Sequence, residues 1–210
     1  SIPVYGGFHL DFRTINTEVL VIGGGVAGLR AAVAAAELGT EVAIVSKPSC
    51  ASPEIMGFNA PVMPGDSKEL YFSDIEQSGY GINDSRLAMV LSEHVLDEVT
   101  YLEGLGLEFD RDAEGRYLPI HTLGTAYPRL IKTGVSSGSA EMRILKTRCG
   151  ELGVKQYAPV DILGLLVSRG HVLGAYGLDL GSGELLRFTA SAVVLATGGC
   201  GAMQSFSTYP

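Results

Sequence analysis

The sequence predicts an α/β protein in which a parallel sheet is accompanied by a smaller antiparallel β element. Three observations support this fold class. A strand, a glycine turn, a helix and a second strand follow one another within residues 17–46. Short strand patterns separated by turn residues fill residues 154–188, and an apolar run at 191–199 ends in two glycines. Hydrophobic residues occupy 46% of the 210 positions and charged residues 18%, which allows a substantial buried core.

The first elements form a βαβ unit. The run TEVLVI at 17–22 is short, apolar and β-branched, as in a strand buried on both faces. The run VAGLRAAVAAAELG at 26–39 consists mostly of strong helix formers and ends at a glycine suited to a C-cap. The run EVAIVS at 41–46 predicts a second buried strand, and the crossover between the two strands makes them parallel.

The middle of the chain is predicted to be mainly helical after a long irregular stretch. Residues 47–80 are rich in proline and glycine and are expected to form a functional or mobile loop. A helix is expected over 83–106, with an inward face of Leu87, Leu91, Val95, Val99 and Leu102. A hairpin over 107–119 precedes a second amphipathic helix over 136–153, whose expected inward residues are Met142, Leu145, Cys149 and Leu152.

Charge and cysteine content exclude several classes of protein. The formal net charge is −8 and the sequence has no basic run, so no nucleic-acid partner is expected. Cys50, Cys149 and Cys200 are widely spaced without a CxxC pair, which predicts buried thiols and neither a disulfide framework nor a metal site. No apolar run reaches the roughly 18 residues of a transmembrane helix, and the N-terminus lacks a signal-peptide pattern. We therefore expect a soluble, cytoplasmic protein.

The turn between the first strand and the helix carries a G-x-G-x-x-G pattern. Gly23 is expected to permit the tight turn, Gly25 to bring the backbone against a diphosphate, and Gly28 to let helix and strand pack closely. The helix N-terminus at Val26 and Ala27 would direct N–H groups and a positive dipole end towards the anion. A turn that needs glycine only for packing is the alternative, and the strand–turn–helix context favours a dinucleotide site.

The second strand ends in Ser46 and Lys47, where an NAD site usually has an acid that binds the ribose. Ser46 can bind a ribose hydroxyl without that charge, whereas Lys47 can meet a 2′-phosphate, so an NADP site is an alternative. The run SAVVLATGG at 191–199 predicts another buried strand, which returns small residues to the same nucleotide. An NAD(P)-binding domain does not need a later strand that comes back to the nucleotide. The run therefore favours a flavin site that contacts the nucleotide from two sides.

Several stretches together resemble the flavoprotein subunits of succinate dehydrogenase and fumarate reductase, and L-aspartate oxidase. They are VLVIGGGVAGLRAA, VAIVSK, LEGLGLEFDRDAEG and ASAVVLATGGCG, and the resemblance extends over residues 17–210. It implies a Rossmann-like FAD-binding domain over 1–210 that serves hydride transfer between flavin and a small carboxylate. The implied partners are a dicarboxylate or amino-acid substrate and an iron–sulfur electron-transfer subunit, and such a subunit could hold the protein at a membrane.

The resemblance also assigns cofactor contacts. The implied FAD contacts are Gly23, Gly25, Val26, Ala27 and Gly28 for the diphosphate, Ser46 and Lys47 for the ribose, Asn59 and Ala60 beside the flavin, Val160 for the adenine, and Ala196, Thr197 and Gly198 over the nucleotide. Asn59 and Ala60 stand where the family has an A-x-G-G stretch. Residues 47–60 contain no histidine, so non-covalent FAD is expected instead of a histidyl linkage.

In the family, the chain continues after ATGG into a T-G-D-G stretch and a capping domain that holds the dicarboxylate site. Neither occurs before Pro210, so the resemblance implies an N-terminal part of a longer flavoprotein, with most catalytic residues elsewhere. His121 and Arg129, in LPIHTLGTAYPR, are the weak catalytic candidates within it. The alternatives to a flavin oxidoreductase are an NADP-binding reductase module and a truncated, non-catalytic FAD-fold binding or assembly module.

Overall fold

The computed structural model describes residues 2–3, 9–134 and 136–207, with side chains over 11–134, 136–201 and 203–207. The chain divides into two compact units: the first comprises Ser1–Ser52 and Leu145–Pro210, and the second comprises Pro53–Ile144. The strands and helices, in chain order, are β1 Ile2–Pro3, β2 His9–Leu10, β3 Arg13–Asn16, β4 Val19–Ile22, α1 Val26–Glu37, β5 Val42–Val45, β6 Phe58–Asn59, α2 Lys68–Gly79, α3 Ser85–Gly104, β7 Leu130–Ile131, α4 Ser137–Glu151, β8 Lys155–Tyr157, β9 Val160–Ser168, β10 His171–Asp179, β11 Leu185–Thr189 and β12 Ala192–Leu195.

The first unit contains a parallel sheet in the order β12-β4-β5-β8. All four residues of β5 are buried, because this strand lies inside the sheet and is covered on both faces. Helix α1 packs on β4 and β5 and buries Leu29, Ala32 and Val33. The predicted βαβ unit is confirmed.

A second sheet of the first unit has the order β3-β11-β10-β9. Strands β9, β10 and β11 are antiparallel neighbours, and β3 runs parallel to β11. One hydrophobic cluster joins the two sheets, and its buried members are Leu20, Ile22, Ala43 and Val45 from the parallel sheet with Val160, Ala175, Leu186 and Phe188 from the other. The first unit is therefore a three-layer α/β fold, with a helix on one face of the parallel sheet and the second sheet on the other.

Three details of the first unit differ from the sequence prediction. Strand β8 joins the parallel sheet, although the antiparallel element was expected to begin at residue 154. Strand β3 was not predicted. The strand predicted at 191–199 forms as β12, but Val194 and Leu195 are 36% and 61% exposed, so the expected burial is wrong. β12 is an edge strand of its sheet, and an apolar run does not distinguish an edge strand from a central one.

The second unit combines the packed helices α2 and α3 with the short antiparallel pair β6–β7. Its buried hydrophobic residues are Ala60, Tyr71, Ala88, Val99, Leu102, Leu107, Phe109, Ile131, Met142 and Ile144. The predicted hairpin is confirmed by the antiparallel bridge between Arg111 and Tyr117.

Helix α2 corrects the expectation of an irregular stretch over 47–80. The Ser67 hydroxyl caps the helix by accepting the N–H of Leu70 at 3.2 Å, and Tyr80 ends it in the left-handed conformation. Tyr71 is its one buried residue among those described, so the helix has almost no apolar periodicity for a sequence pattern to reveal.

Helix α3 forms as predicted and buries Val99 and Leu102 as expected, but in its first half the inward face is shifted by one residue. Leu87 and Leu91 are 69% and 48% exposed, which contradicts their predicted burial. The buried residues of α3 are Ala88, Ser92, Val99 and Leu102. The small residues Ala88 and Ser92 allow close packing, and an apolar count does not recognise them as inward positions.

The three cysteines differ in burial. Cys149 is buried, Cys50 is half-buried and Cys200 is exposed, and none of these three thiols forms a disulfide. The expected burial is therefore right for Cys149 and wrong for Cys200. Burial raises the pKa of the Cys149 thiol to about 11. No helix in the described part of the chain is both long and apolar enough to cross a membrane.

Candidate functional site

The glycine turn after β4 lies against the end of β12. Gly23 has a φ of +123°, and a Cβ built on it would lie 2.0 Å from the carbonyl oxygen of Ala196. The N–H of Ala196 donates to the carbonyl of Ile22 at 2.8 Å. Only glycine fits at position 23, since it supplies both the positive φ and the close approach. The sequence predicts that the glycine turn and the end of the run at 191–199 meet, and the structure confirms this.

Gly28 allows the first turn of α1 to pack on the same glycine turn. A Cβ at this position would lie 1.8 Å from the carbonyl oxygen of Gly23 and 3.4 Å from the Cβ of Ala196. The first contact is with backbone, which cannot rotate away as a side chain could. Gly28 is therefore required for helix and strand to pack closely, as the pattern predicts.

The N-terminus of α1 presents backbone donors. Gly25 is the N-cap residue and has no side chain to cap the helix, and no acidic residue lies in the first turn. The N–H of Val26 donates to the Ser52 hydroxyl at 2.9 Å. The other N–H groups of the first turn, including that of Ala27, have no partner within the helix. Together with the helix dipole, these donors suit an anion.

Ser52 is a candidate site residue that the sequence did not suggest. A Cβ on Gly25 would lie 2.8 Å from its hydroxyl oxygen, so the side chain sits directly over the glycine turn. Its hydroxyl accepts the N–H of Val26 and retains a proton to donate. Its location in a proline-rich loop gave no periodic signal.

Ser46 lies at the carboxyl end of β5 and faces the glycine turn. A Cβ on Gly24 would lie 2.8 Å from the Ser46 hydroxyl oxygen. The backbone of Ser46 is fixed on both sides, because its N–H donates to the carbonyl of Tyr157 at 3.0 Å and its carbonyl accepts the N–H of Val160 at 2.9 Å. The expected backbone contact between Val160 and an adenine therefore cannot use this N–H.

Lys47 forms an ion pair that the sequence did not predict. Its ammonium nitrogen lies 3.2 Å from Oδ1 of Asp161. The two side chains are 64% and 34% exposed, so solvent screens the pair only in part. Asp161 follows Val160 in β9, more than a hundred positions along the chain from Lys47, and no local pattern connects them.

Only some of the residues that follow β12 lie at the glycine turn. The backbone nitrogen of Thr197 lies 3.3 Å from the position of a Cβ on Gly23, next to Ala196. Gly198 is exposed and has a φ of +71°, with no atom close to where its Cβ would be. Ala196 and Thr197 are therefore brought to the glycine turn, whereas Gly198 has the left-handed conformation and open space at its Cβ position.

Asn59 and Ala60 belong to the second unit. Asn59 ends β6 opposite Leu130, and the N–H of Ala60 donates to the carbonyl of Arg129 at 2.9 Å. The amide oxygen Oδ1 of Asn59 is buried and has no hydrogen-bond partner among the described residues. A buried acceptor in a native protein normally has one, so this oxygen is a candidate contact for a ligand or water.

The two weak catalytic candidates differ in exposure. His121 is exposed, and its Nε2 lies 2.7 Å from the carbonyl oxygen of Thr125. Arg129 is fully buried: it donates to both oxygens of Asp66 at 2.7 Å and also to the carboxylate of Asp74. Its guanidinium carbon lies 5.0 Å from the centre of the Tyr71 ring. These contacts favour a structural role for Arg129.

The contacts of Arg129 shift its own pKa and that of Asp74. Hydrogen bonds to Asp66 raise the pKa of Arg129 against the effect of burial. Burial acts to raise the pKa of Asp74, but the N–H of Ala126 and the Arg129 guanidinium outweigh it and lower that pKa. Within the described residues, no cluster of His, Cys, Asp and Glu side chains is suited to a metal ion.

Known proteins resemble this chain in sequence and structure. The family model described as FAD binding domain matches residues 18–209. A polypeptide of the CoM/CoB fumarate reductase of Methanothermobacter marburgensis is 35% identical over 200 residues, covering 91% of this chain and 37% of the relative. L-aspartate oxidase of Pyrococcus abyssi is 30% identical over 198 residues, covering 92% and 39% respectively.

Solved structures of similar proteins also match this chain. The apo Sdh1 complex of Mycobacterium smegmatis matches with a TM-score of 0.88 at 30% identity, over 95% of this chain and 37% of the other. The E. coli quinol fumarate reductase, carrying an E245Q mutation in FrdA, matches with a TM-score of 0.89 at 27% identity, over 95% and 35%. The chain thus spans little more than a third of the length of these proteins.

The family match covers nearly the whole chain, and the fold has the expected α/β arrangement. The chain therefore belongs to the FAD binding domain family, its cofactor is FAD, and it corresponds to the FAD-binding domain of flavoproteins of the fumarate reductase, succinate dehydrogenase and L-aspartate oxidase type.

Proposed function

We propose that the first unit binds the adenosine diphosphate part of FAD and serves an oxidoreductase that transfers hydride between flavin and a small carboxylate. The observation that carries this proposal is the contact of Gly23 with Ala196, where the βα turn and the end of β12 converge. The N-terminus of α1 also offers backbone donors without an acidic residue in its first turn, an arrangement that suits a bound diphosphate.

The residues around the turn fit the cofactor. A Cβ on Gly25 would lie in the space beside Ser52, so glycine keeps the backbone open to a diphosphate. We assign the diphosphate to the N–H groups of the first turn of α1, with the Ser52 hydroxyl as a further donor. The adjacent Ser46 hydroxyl is assigned to the ribose, because it lies at the carboxyl end of β5.

When bound, FAD supplies a ring that exchanges hydride with a substrate carbon, and the protein supplies binding and orientation. The unsatisfied amide oxygen of Asn59 supports the proposed placement of this residue beside the flavin. No histidine occurs within residues 47–60, which supports non-covalent binding.

The relatives support a proposal for the substrate class and the partners. Their names point to fumarate in one group and to L-aspartate in another, so we propose a small dicarboxylate or an amino acid as substrate. We also propose that the partner is an iron–sulfur electron-transfer subunit, through which the protein associates with a membrane. Sdh1 and quinol fumarate reductase are the structural relatives that support this assignment.

Anaerobic spectroscopy tests the proposed activity. The full-length protein is loaded with FAD, mixed with succinate or L-aspartate, and followed at the absorbance band of oxidised flavin; the dithionite-reduced form is mixed with fumarate. We expect one of the three to change the flavin redox state, with malonate-treated and substrate-free samples as controls. A full-length protein that binds FAD but responds to none of them would support the non-catalytic binding module.

A further inference from the structure

The ion pair between Lys47 and Asp161 has no role in the function proposed above. It lies at the carboxyl end of β5, where the ribose is assigned. A lysine at this position would favour a 2′-phosphate if it were free, since it is a mobile cation beside the ribose. The pair therefore bears on which adenine nucleotides the first unit accepts.

The backbone holds the pair at this place. The N–H of Val160 donates to the carbonyl of Ser46 at 2.9 Å, which joins the start of β9 to the end of β5. Asp161 and Lys47 are the next residue on each of the two segments, and their side chains meet at 3.2 Å. The position of the carboxylate is thus fixed by sheet structure and not only by the attraction between two flexible side chains.

In many Rossmann proteins, the second strand of the βαβ unit ends in an acid. In this chain Asp161 supplies a negative charge at the corresponding place, the end of β5. Here that strand ends in Ser46, and the acid comes from β9. A 2′-phosphate placed beside Ser46 would meet a lysine that is already paired and a carboxylate of its own sign. Like charges placed side by side oppose binding.

We propose that Asp161 is a specificity-determining residue that restricts the site to adenine nucleotides with an unphosphorylated ribose. The inference rests on the proposed function, because it concerns the same nucleotide site. It assigns Asp161 a role through Lys47 and through its own charge, without a role in hydride transfer.

Competition for bound FAD tests the proposal. ADP-ribose and 2′-phospho-ADP-ribose differ only by the 2′-phosphate, and each displaces FAD with a recovery of flavin fluorescence. We expect the native chain to prefer ADP-ribose by about tenfold or more. Asp161→Asn should bring the ratio of the two affinities, ADP-ribose over 2′-phospho-ADP-ribose, close to one, because it frees Lys47 and removes the repulsion. Lys47→Gln should increase the preference for ADP-ribose, since the Asp161 carboxylate is then unpaired and repels the 2′-phosphate more strongly.

Glu41→Gln is the matched control. Glu41 pairs with Lys155 and precedes β5, so this substitution makes the same charge change at the opposite end of the strand. We expect it to leave the preference unchanged. Equal affinity of the native chain for the two ligands would overturn the inference, as would a ratio in Asp161→Asn that moves no further than in Glu41→Gln. FAD binding without discrimination would overturn this inference alone, whereas failure to bind FAD would overturn the proposed function and the inference with it.

Discussion

The two units of the chain differ in the groups that meet at their centres: backbone atoms in the first and charged side chains in the second. At the glycine turn of the first unit, Gly23 and Gly28 let backbone touch backbone, and no charged side chain takes part in those contacts. At the centre of the second unit, Arg129 and Asp66 are fully buried charged side chains. The comparison shows that the proposed cofactor site depends on missing side chains, whereas the stability of the second unit depends on charges that must stay matched.

The second unit also contains a buried acid that is not matched. Glu141 is 4% exposed, and its Oε2 has no hydrogen-bond partner in the part of the chain that the structure describes. Burial and the nearby Glu98 raise the pKa of Glu141 to about 7. Arg129 and Glu141 therefore represent the two outcomes of burying charge: one is satisfied by partners, and the other is neutralised by a proton.

Removing Arg129 should have the largest effect on stability. Arg129→Ala leaves Asp66 buried without a counter-charge and removes a partner of Asp74, so we expect a loss of about 3–5 kcal/mol in the free energy of unfolding. Urea denaturation followed by circular dichroism measures it. Arg116→Ala is the control, because its ion pairs with Asp112 and Glu114 are exposed and should contribute less than about 1 kcal/mol. Equal effects of the two substitutions would show that the buried network does not stabilise the second unit.

Glu141→Gln should have a smaller, pH-dependent effect of the opposite sign. The folded chain holds the Glu141 proton up to a pH of about 7, whereas the unfolded chain releases it near the ordinary pKa of 4.5. The native chain therefore loses stability as the pH rises through this interval, and glutamine avoids the loss. We expect the variant to be more stable by up to about 3 kcal/mol above pH 7, and nearly equal to the native chain near pH 4.5.

Urea denaturation at several pH values measures this difference. Glu93→Gln is the control, because Glu93 is exposed on α3, and we expect this variant to lack the gain in stability. A Glu141→Gln variant whose stability parallels that of the native chain from pH 4.5 to 8 would show that Glu141 is not a buried, protonated acid.

The sequence predicted the features that depend on local pattern. The βαβ unit, the turn glycines and the return of residues near Ala196 all have short-range signals in residue type and period. Helix α2 was missed because only Tyr71 is buried on it. The partners of Arg129 and Lys47 were missed because Asp66, Asp74 and Asp161 lie far away in the chain, and opposite charges carry no spacing that would connect them.

Equilibrium titration with FAD, followed by flavin fluorescence, tests most directly whether the open glycine turn holds the cofactor. Gly25→Ala suits this test, because the φ of −77° at Gly25 is ordinary for alanine, and the nearest atom to its Cβ would be the hydroxyl oxygen of Ser52, whose side chain can rotate. Gly150→Ala is the control, since its Cβ position in α4 has no atom within 4 Å beyond its chain neighbours and the nearby backbone of its own helix. We predict saturable binding by the native chain and by Gly150→Ala, and an affinity at least about tenfold weaker in a folded Gly25→Ala. Absence of binding by the native chain, or equal affinity in Gly25→Ala, would contradict the account.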